Sequence, residues 1–215
     1  MPLTHLDIET IPDQSDGALQ RARDLVKVPA NYKKPDVIDK YITDHTDEAW
    51  RKTALSGLYG EIVVVCYALN DGPVRTVARS PEGPEADLLR SLWDLMQKEL
   101  QNGGRPIWCG WNVGFDLKFL WHRSVKHQVR PPFDLHHDEK PWSNKIIDLM
   151  HMWDSKNYTK MKTVCDVLGI LPDDHDIDGA EVWDYIKAGD LQSVVEHCEA
   201  DVRRLQLLHK RLNFL

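Results

Sequence analysis

The longest uninterrupted apolar run in the chain is Glu61 to Leu69 (EIVVVCYAL), with no charged residue after its first position. That profile predicts a central strand buried on both faces. Val74 to Arg79 alternates instead, and pairs with it as a hairpin across Asn70-Asp71-Gly72. Residues 3–8 read as a short first strand ending in acidic residues, and residues 106–110 and 145–149 as two more short strands. Between them, Leu89, Leu92, Trp93, Met96 and Leu100 recur at helical spacing until Gly103-Gly104 stops the helix. Residues 113–127, 159–169 and 180–188 also read as helices. A final helix over 191–212 has Asp190 as N-cap and an apolar stripe through Val194, Val195, Cys198, Val202, Leu205, Leu208 and Leu212. Residues 11–57 are polar and partly helical, with prolines at 29 and 35, and read as an insertion or flap rather than a second core. Strands interleaved with helices predict one α/β domain over 1–215, with a mixed sheet of about five strands flanked by helices.

Composition narrows the function classes. A length of 215 residues suits one large domain. A net charge of -7 argues against a protein that coats nucleic acid by charge alone. It suits an acidic centre neutralised by bound cations. The four cysteines, Cys66, Cys109, Cys165 and Cys198, show no CxxC spacing and read as buried free thiols in a reducing, cytoplasmic setting. The N-terminus lacks the apolar core of a signal peptide, and no apolar stretch approaches the ~18 residues of a membrane span, so no membrane partner is expected.

Three short stretches carry candidate chemistry. In Asp7-Ile8-Glu9, alternate residues of a strand share a face, so two carboxylates project together. Like charges side by side are costly without a cation between them. On its own the triplet reads equally as a solvated strand end. Asn112-Val113-Gly114-Phe115-Asp116 follows a short strand and opens a helix. Asp116 falls in the first turn, where the helix dipole favours an anion. Phe115 and Phe119 form an i,i+4 pair suited to the core. In the last helix Asp201 interrupts the apolar stripe, and His197 lies one turn before it. A carboxylate directed at the protein body needs a partner, which an internal His–Asp pair would also provide.

Taken together and in this order, the three stretches resemble the motifs of the DEDD exonuclease superfamily, whose fold is ribonuclease-H-like. The resemblance spans nearly the whole chain. It is greatest to the proofreading exonuclease domain of family-B DNA polymerases and to stand-alone predicted exonucleases related to it. Leu6-Asp7-Ile8-Glu9-Thr10, Gly60-Glu61-Ile62-Val63, Ile177-Asp178-Gly179 with Val182-Trp183, and His197-Cys198-Glu199-Ala200-Asp201-Val202 carry it. One departure stands out. His197 sits four residues before Asp201, the spacing of the superfamily's tyrosine branch with the residue of its histidine branch.

The resemblance implies a metal-dependent 3′→5′ exonuclease. Asp7, Glu9, Asp116 and Asp201 would hold two Mg²⁺ or Mn²⁺ ions. Asp7 would bridge both ions, Glu9 and Asp201 would complete one shell, and Asp116 would serve the other. Imidazole titrates near neutrality, so His197 is the candidate general base. Nucleoside 5′-monophosphates would be released from single-stranded DNA. The alternatives are RNA as substrate, a non-catalytic nucleic-acid-binding module, and a structural domain with solvated acids. Ile8, Thr10, Trp111, Asn112 and Phe115 are the candidate substrate contacts, Trp111 by stacking on a terminal base. Lys118, Arg123, Lys126 and Arg130, on a stretch free of acids, read either as a phosphate track or as a solvated helix face. Asn157 to Lys162 mixes an aromatic with basic residues and is a further candidate contact. Asp148 ends a strand where it can help position the site. Two signals are set aside. Asp174 to Gly179 starts like an EF-hand loop but has Tyr185 where the bidentate Glu belongs. His136-His137-Asp138-Glu139 has no second ligand pair at zinc spacing. Nothing indicates a polymerase or repair partner.

Overall fold

The computed structural model describes residues 1–100, 104–170 and 177–215. Five strands, β1 (Leu3–Ile11), β2 (Glu61–Leu69), β3 (Arg75–Ala78), β4 (Ile107–Gly110) and β5 (Ile146–Asp148), form one sheet in the order β3-β2-β1-β4-β5. β1–β2 and β2–β3 pair antiparallel, while β1–β4 and β4–β5 pair parallel. Eight helices flank it among the described residues: α1 (Ala18–Leu25), α2 (Pro35–Arg51), α3 (Glu85–Glu99), α4 (Val113–Lys126), α5 (Leu149–Trp153), α6 (Met161–Leu168), α7 (Val182–Lys187) and α8 (Leu191–Leu212). A 3₁₀ turn, Lys52–Leu55, follows α2. The mixed α/β sheet is the one the hydrophobic pattern predicts.

β2 is buried on both faces, and its residues divide between two cores. Ile62, Val65 and Tyr67 pack with Leu89, Leu92, Trp93 and Met96 of α3 and with Leu117 and Leu120 of α4. Val64, Cys66 and Ala68 pack with Val194, Cys198 and Val202 of α8 and with Val182 and Ile186 of α7. A third cluster joins Cys109 and Leu149 to Val164 and Cys165 of α6 and to Leu205 and Leu208 of α8. The long helix α8 therefore packs along one face of the sheet and crosses β1, the strand with the acidic pair. Asp190 caps it as expected, accepting from Ser193 N at 3.1 Å.

The first strand differs from its predicted extent. It runs past the acidic pair to Ile11 instead of ending there. Thr10 and Ile11 keep pairing with Ile62 and Glu61, and the register shifts between Glu9 and Thr10 so that Val63 is the extra residue on β2. Asp7 and Glu9 thus sit inside a strand, beside a bulge. Bulges increase local twist and recur next to active sites.

The polar segment after β1 is held to the body by directed polar contacts. α2 buries none of its residues. Asp13 N donates to Thr53 Oγ1 at 2.9 Å, Trp50 Nε1 donates to Asp13 O at 2.8 Å, and Thr10 Oγ1 donates to Ala54 O at 2.8 Å. Arg51 reaches across to both carboxylate oxygens of Asp184 on α7, at 3.0 and 2.8 Å, and Trp50 meets Trp183 edge-on.

One basic residue of the candidate phosphate track is neither on a track nor solvated. Arg123 is fully buried and donates from Nε and Nη2 to the Glu85 carboxylate, while Glu85 Oε1 also accepts from Ile62 N at 2.8 Å. Burial alone would raise the Glu85 carboxyl, but the Arg123 guanidinium overrides it and holds the group below the usual carboxylate range. This pair pins α4 to α3 and to the start of β2.

Candidate active site

Asp7 and Glu9 share the face of β1 turned to α8, as strand alternation requires. Asp116 is in the first turn of α4, where nearby backbone N–H groups, its own and that of Ile8, draw its carboxyl down against burial. Asp201 is nearly three turns into α8 and faces the same strand. All four line one cavity of about 840 Å³. Glu9 and Asp116 are nearly fully buried, at 7% and 5% exposure.

The four charges act on one another. The Asp7 carboxyl is pushed well above its ordinary value by burial and then by the charge of Asp201. Glu9 is pushed up by burial and by Asp7 and Asp201, and Asp116 by burial and by Asp7. Acids that repel one another in a dry pocket are in the electrostatic condition that a divalent cation relieves. An all-oxygen donor set suits a hard cation such as Mg²⁺ or Mn²⁺.

His197 is buried against this cluster. Its Nε2 lies 3.5 Å from Glu9 Oε1 and 3.8 Å from Asp201 Oδ2. On the other side, the Ile177 N–H points at Nδ1 from 3.5 Å, at the limit of a hydrogen bond, and Nε2 is the nitrogen facing the carboxylates. The spacing of four residues therefore does bring the imidazole onto the carboxylate face of α8.

Two site residues escaped sequence reading. Arg204 is 4% exposed, lines the same cavity, and places its guanidinium against Asp201 Oδ1. It also draws the Asp7 carboxyl down, against the effect of burial. Its i,i+3 offset from Asp201 was the available signal, since residues so spaced share a helix face. Cys198 read only as a stripe residue, but its Sγ donates to Asp7 Oδ2 at 3.3 Å. The side chain of Asp148 lies one layer further out. It accepts from Asn112 N at 3.2 Å and from His151 N at 3.1 Å, tying the end of β5 to the start of α4, which carries Asp116.

The candidate substrate contacts separate. Ile8, Thr10, Trp111 and Phe115 line the cavity. Ile8 is also part of the core, and Trp111 Nε1 donates to Thr159 O at 2.9 Å, which holds its ring in place. Asn112 is exposed, takes φ 59° at the start of α4, and is not part of the lining. Phe115 leans on Phe119, which alone of the two is fully in the core. The Lys118–Arg130 stretch does not reach the cavity: Trp121 stacks on His137, and Arg123 is internal. Tyr158, Lys160 and Lys162 do line it, as do Arg51 and Lys52 from the polar segment. His136 pairs with Asp134 and Glu139 with Lys145, so the histidine tract makes local loop contacts. Of the EF-hand-like stretch, Asp174 to Asp176 lie outside the described residues. All four cysteines are buried, and none of them forms a disulfide. Among the described residues, no helix is long and apolar enough to cross a membrane.

This arrangement, an α/β sheet with acids gathered over its central strand, is that of a polymerase exonuclease-like fold. The whole chain superposes on a family B DNA polymerase from the hyperthermophilic archaeon Pyrobaculum calidifontis, with a TM-score of 0.64 and 16% identity. The chain spans 25% of that polymerase's length, and at this identity the likeness is one of fold. Residues 57–215 match the model of a family described as predicted 3′-5′ exonucleases related to the exonuclease domain of PolB, and the protein belongs to that family. Asp116, His197 and Asp201 lie inside the matched span; Asp7 and Glu9 lie before it. An uncharacterized protein of Methanocaldococcus jannaschii is 27% identical over an alignment of 172 residues that covers 74% of this chain and 90% of that protein.

Proposed function

We propose that the protein is a 3′→5′ exonuclease that removes nucleoside 5′-monophosphates from single-stranded DNA, with Asp7, Glu9, Asp116 and Asp201 holding two Mg²⁺ or Mn²⁺ ions. The observation that carries this reading is the convergence of four carboxylates from three separate elements, β1, α4 and α8, on one buried cavity. When bound, such ions supply a water acidified at neutral pH and a counter-charge for the leaving 3′ oxygen.

The chain's own residues supply the rest. Asp7, on the central strand, is coupled by charge to the other three acids and so is the residue placed to bridge two ions. His197, whose Nε2 faces Glu9 and Asp201, takes the proton from the attacking water when its own ring proton is on Nδ1, and passes it to solvent through the cavity mouth. Trp111 and Phe115 offer apolar surface to the terminal base, and Lys160 and Lys162 offer charge to the phosphates behind it. A frayed, unpaired end suits a cavity so lined.

The test is a 5′-labelled single-stranded DNA and an equal-length RNA incubated with Mg²⁺, Mn²⁺ or EDTA. A ladder shortening from the 3′ end, faster on DNA and abolished by EDTA and by Asp7→Ala, is expected. A faster RNA ladder reassigns the substrate, and undiminished cleavage by folded Asp7→Ala rejects the site. His197→Ala is expected to lower kcat by about 10²–10⁴-fold with little change in KM, the range for loss of a general base.

A further inference from the structure

The acids of the cavity have a sulfur neighbour. Cys198 is fully buried, with its Sγ 3.3 Å from Asp7 Oδ2 and 3.6 Å from Asp7 O. Asp7, Glu9 and Cys198 bring one ligand atom each within 4.8 Å of one another. A tetrahedral zinc ion, with oxygen at about 2.0 Å and sulfur at about 2.3 Å, holds the two ligand atoms roughly 3.5 Å apart. The observed sulfur–oxygen spacing is within a few tenths of an ångström of that. Mg²⁺ takes oxygen ligands and makes no use of a thiol, whereas Zn²⁺ and Co²⁺ bind sulfur and oxygen together.

We propose that this site also binds Zn²⁺, with the Cys198 thiolate as a ligand beside Asp7 and Glu9, and that Zn²⁺ so bound competes with the harder ions for the same carboxylates. The inference rests on the carboxylate cluster being a metal site. As the metal–sulfur bond forms, the S–H bond breaks and its proton leaves for the buffer. Cys198 lies on α8 and is not part of the cavity lining. The fold thus makes the metal preference of the site depend on one side chain of α8. Cys66, the residue paired opposite Asp7 on β2, has its Sγ 3.4 Å from Thr76 Oγ1 but also neighbours Cys198 and Glu9, so Cys109 is the control thiol. Cys109 and Cys165 belong to the third core cluster.

The experiment titrates the intact chain with Co²⁺ alone and reads its absorption spectrum, with binding followed in parallel by calorimetry. A near-ultraviolet thiolate-to-cobalt charge-transfer band is expected in the wild type and in Cys109→Ala, bleached by added Zn²⁺ and lost in Cys198→Ser and Cys198→Ala. Loss of an outer partner alone costs a metal site 10–100-fold in affinity, so removing a ligand should weaken Zn²⁺ binding by roughly tenfold or more, measured against a chromophoric chelator. Co²⁺ that binds the wild type without the band overturns the proposal and leaves the carboxylate site standing. A band that survives in Cys198→Ser overturns it as well. Absence of any Co²⁺ binding overturns both readings together. The wild-type spectrum decides the negative even if a Cys198 variant fails to fold.

Discussion

At the scale of single residues, the centre is a set of groups whose environments oppose their preferred charge state. Burial and mutual repulsion raise Asp7, Glu9 and Asp116 together. A carboxyl whose folded pKa is raised contributes stability at low pH and loses it as pH rises through the folded value. At neutral pH without divalent ions, an ionised Asp7 therefore strains the fold. Asp7→Asn is expected to abolish cleavage and also to raise the melting temperature in EDTA, by about 2–4 °C for each kcal/mol recovered. Differential scanning calorimetry of the two proteins checks this; a lower melting temperature for the variant would contradict the electrostatic account. Arg204 moderates the same repulsion from within the site, through Asp201 and Asp7. Its i,i+3 offset from Asp201 marks a shared helix face, but that offset is equally common in solvated surface pairs, so only the fold shows it turned inward.

At the scale of elements, α8 carries His197, Cys198, Asp201 and Arg204 on one side, and the Arg123–Glu85 pair fixes α4 to α3 and to the start of β2. Arg123 and Glu85 are a buried pair with nearly every donor and acceptor directed at a partner. Removing one partner leaves the other buried and uncompensated. Arg123→Met is expected to destabilise the protein by roughly 3–5 kcal/mol in denaturant titration, far more than a surface arginine would. At the opposite end of β1, His5 is buried against the edge of His209. Burial and then the neighbouring His209 lower its pKa from 6.5 to about 4. A histidine kept neutral in the fold contributes stability above pH 6.5 that is lost as pH falls toward about 4. His5→Leu should flatten the stability profile across that window; an unchanged slope in urea titrations at pH 7, 5.5 and 4 would show that His5 plays no part.

At the scale of the whole molecule, the binding of an ion is linked to folding because the four acids meet only in the folded chain. An ion that binds only the folded state stabilises it by about 2.7 kcal/mol at 100 times its Kd. Mn²⁺ is therefore expected to raise the melting temperature at neutral pH by something on the order of 5–10 °C, and Asp116→Ala to reduce that rise. The polar segment belongs to this scale too. It does not form a core of its own; it reaches the body through Thr53, Trp50 and the Arg51–Asp184 pair, and in doing so supplies a wall of the cavity.

The chain's own pattern determined a good deal. The buried strand at 61–69, the helix at 191–212 with its Asp190 cap, and the placement of Asp7, Glu9, Asp116 and Asp201 on a strand face, a helix start and a helix stripe all follow from local periodicity. Periodicity is a property of a few neighbouring residues, so it survives without knowledge of the fold. The continuation of β1 to Ile11 and its bulge, the inward turn of Arg123 and Arg204, the thiol of Cys198 under Asp7, and the closure of the cavity by residues near 50 and 160 were decided only by tertiary structure. Each depends on partners tens to almost two hundred residues away, whose charges and donors no local window contains.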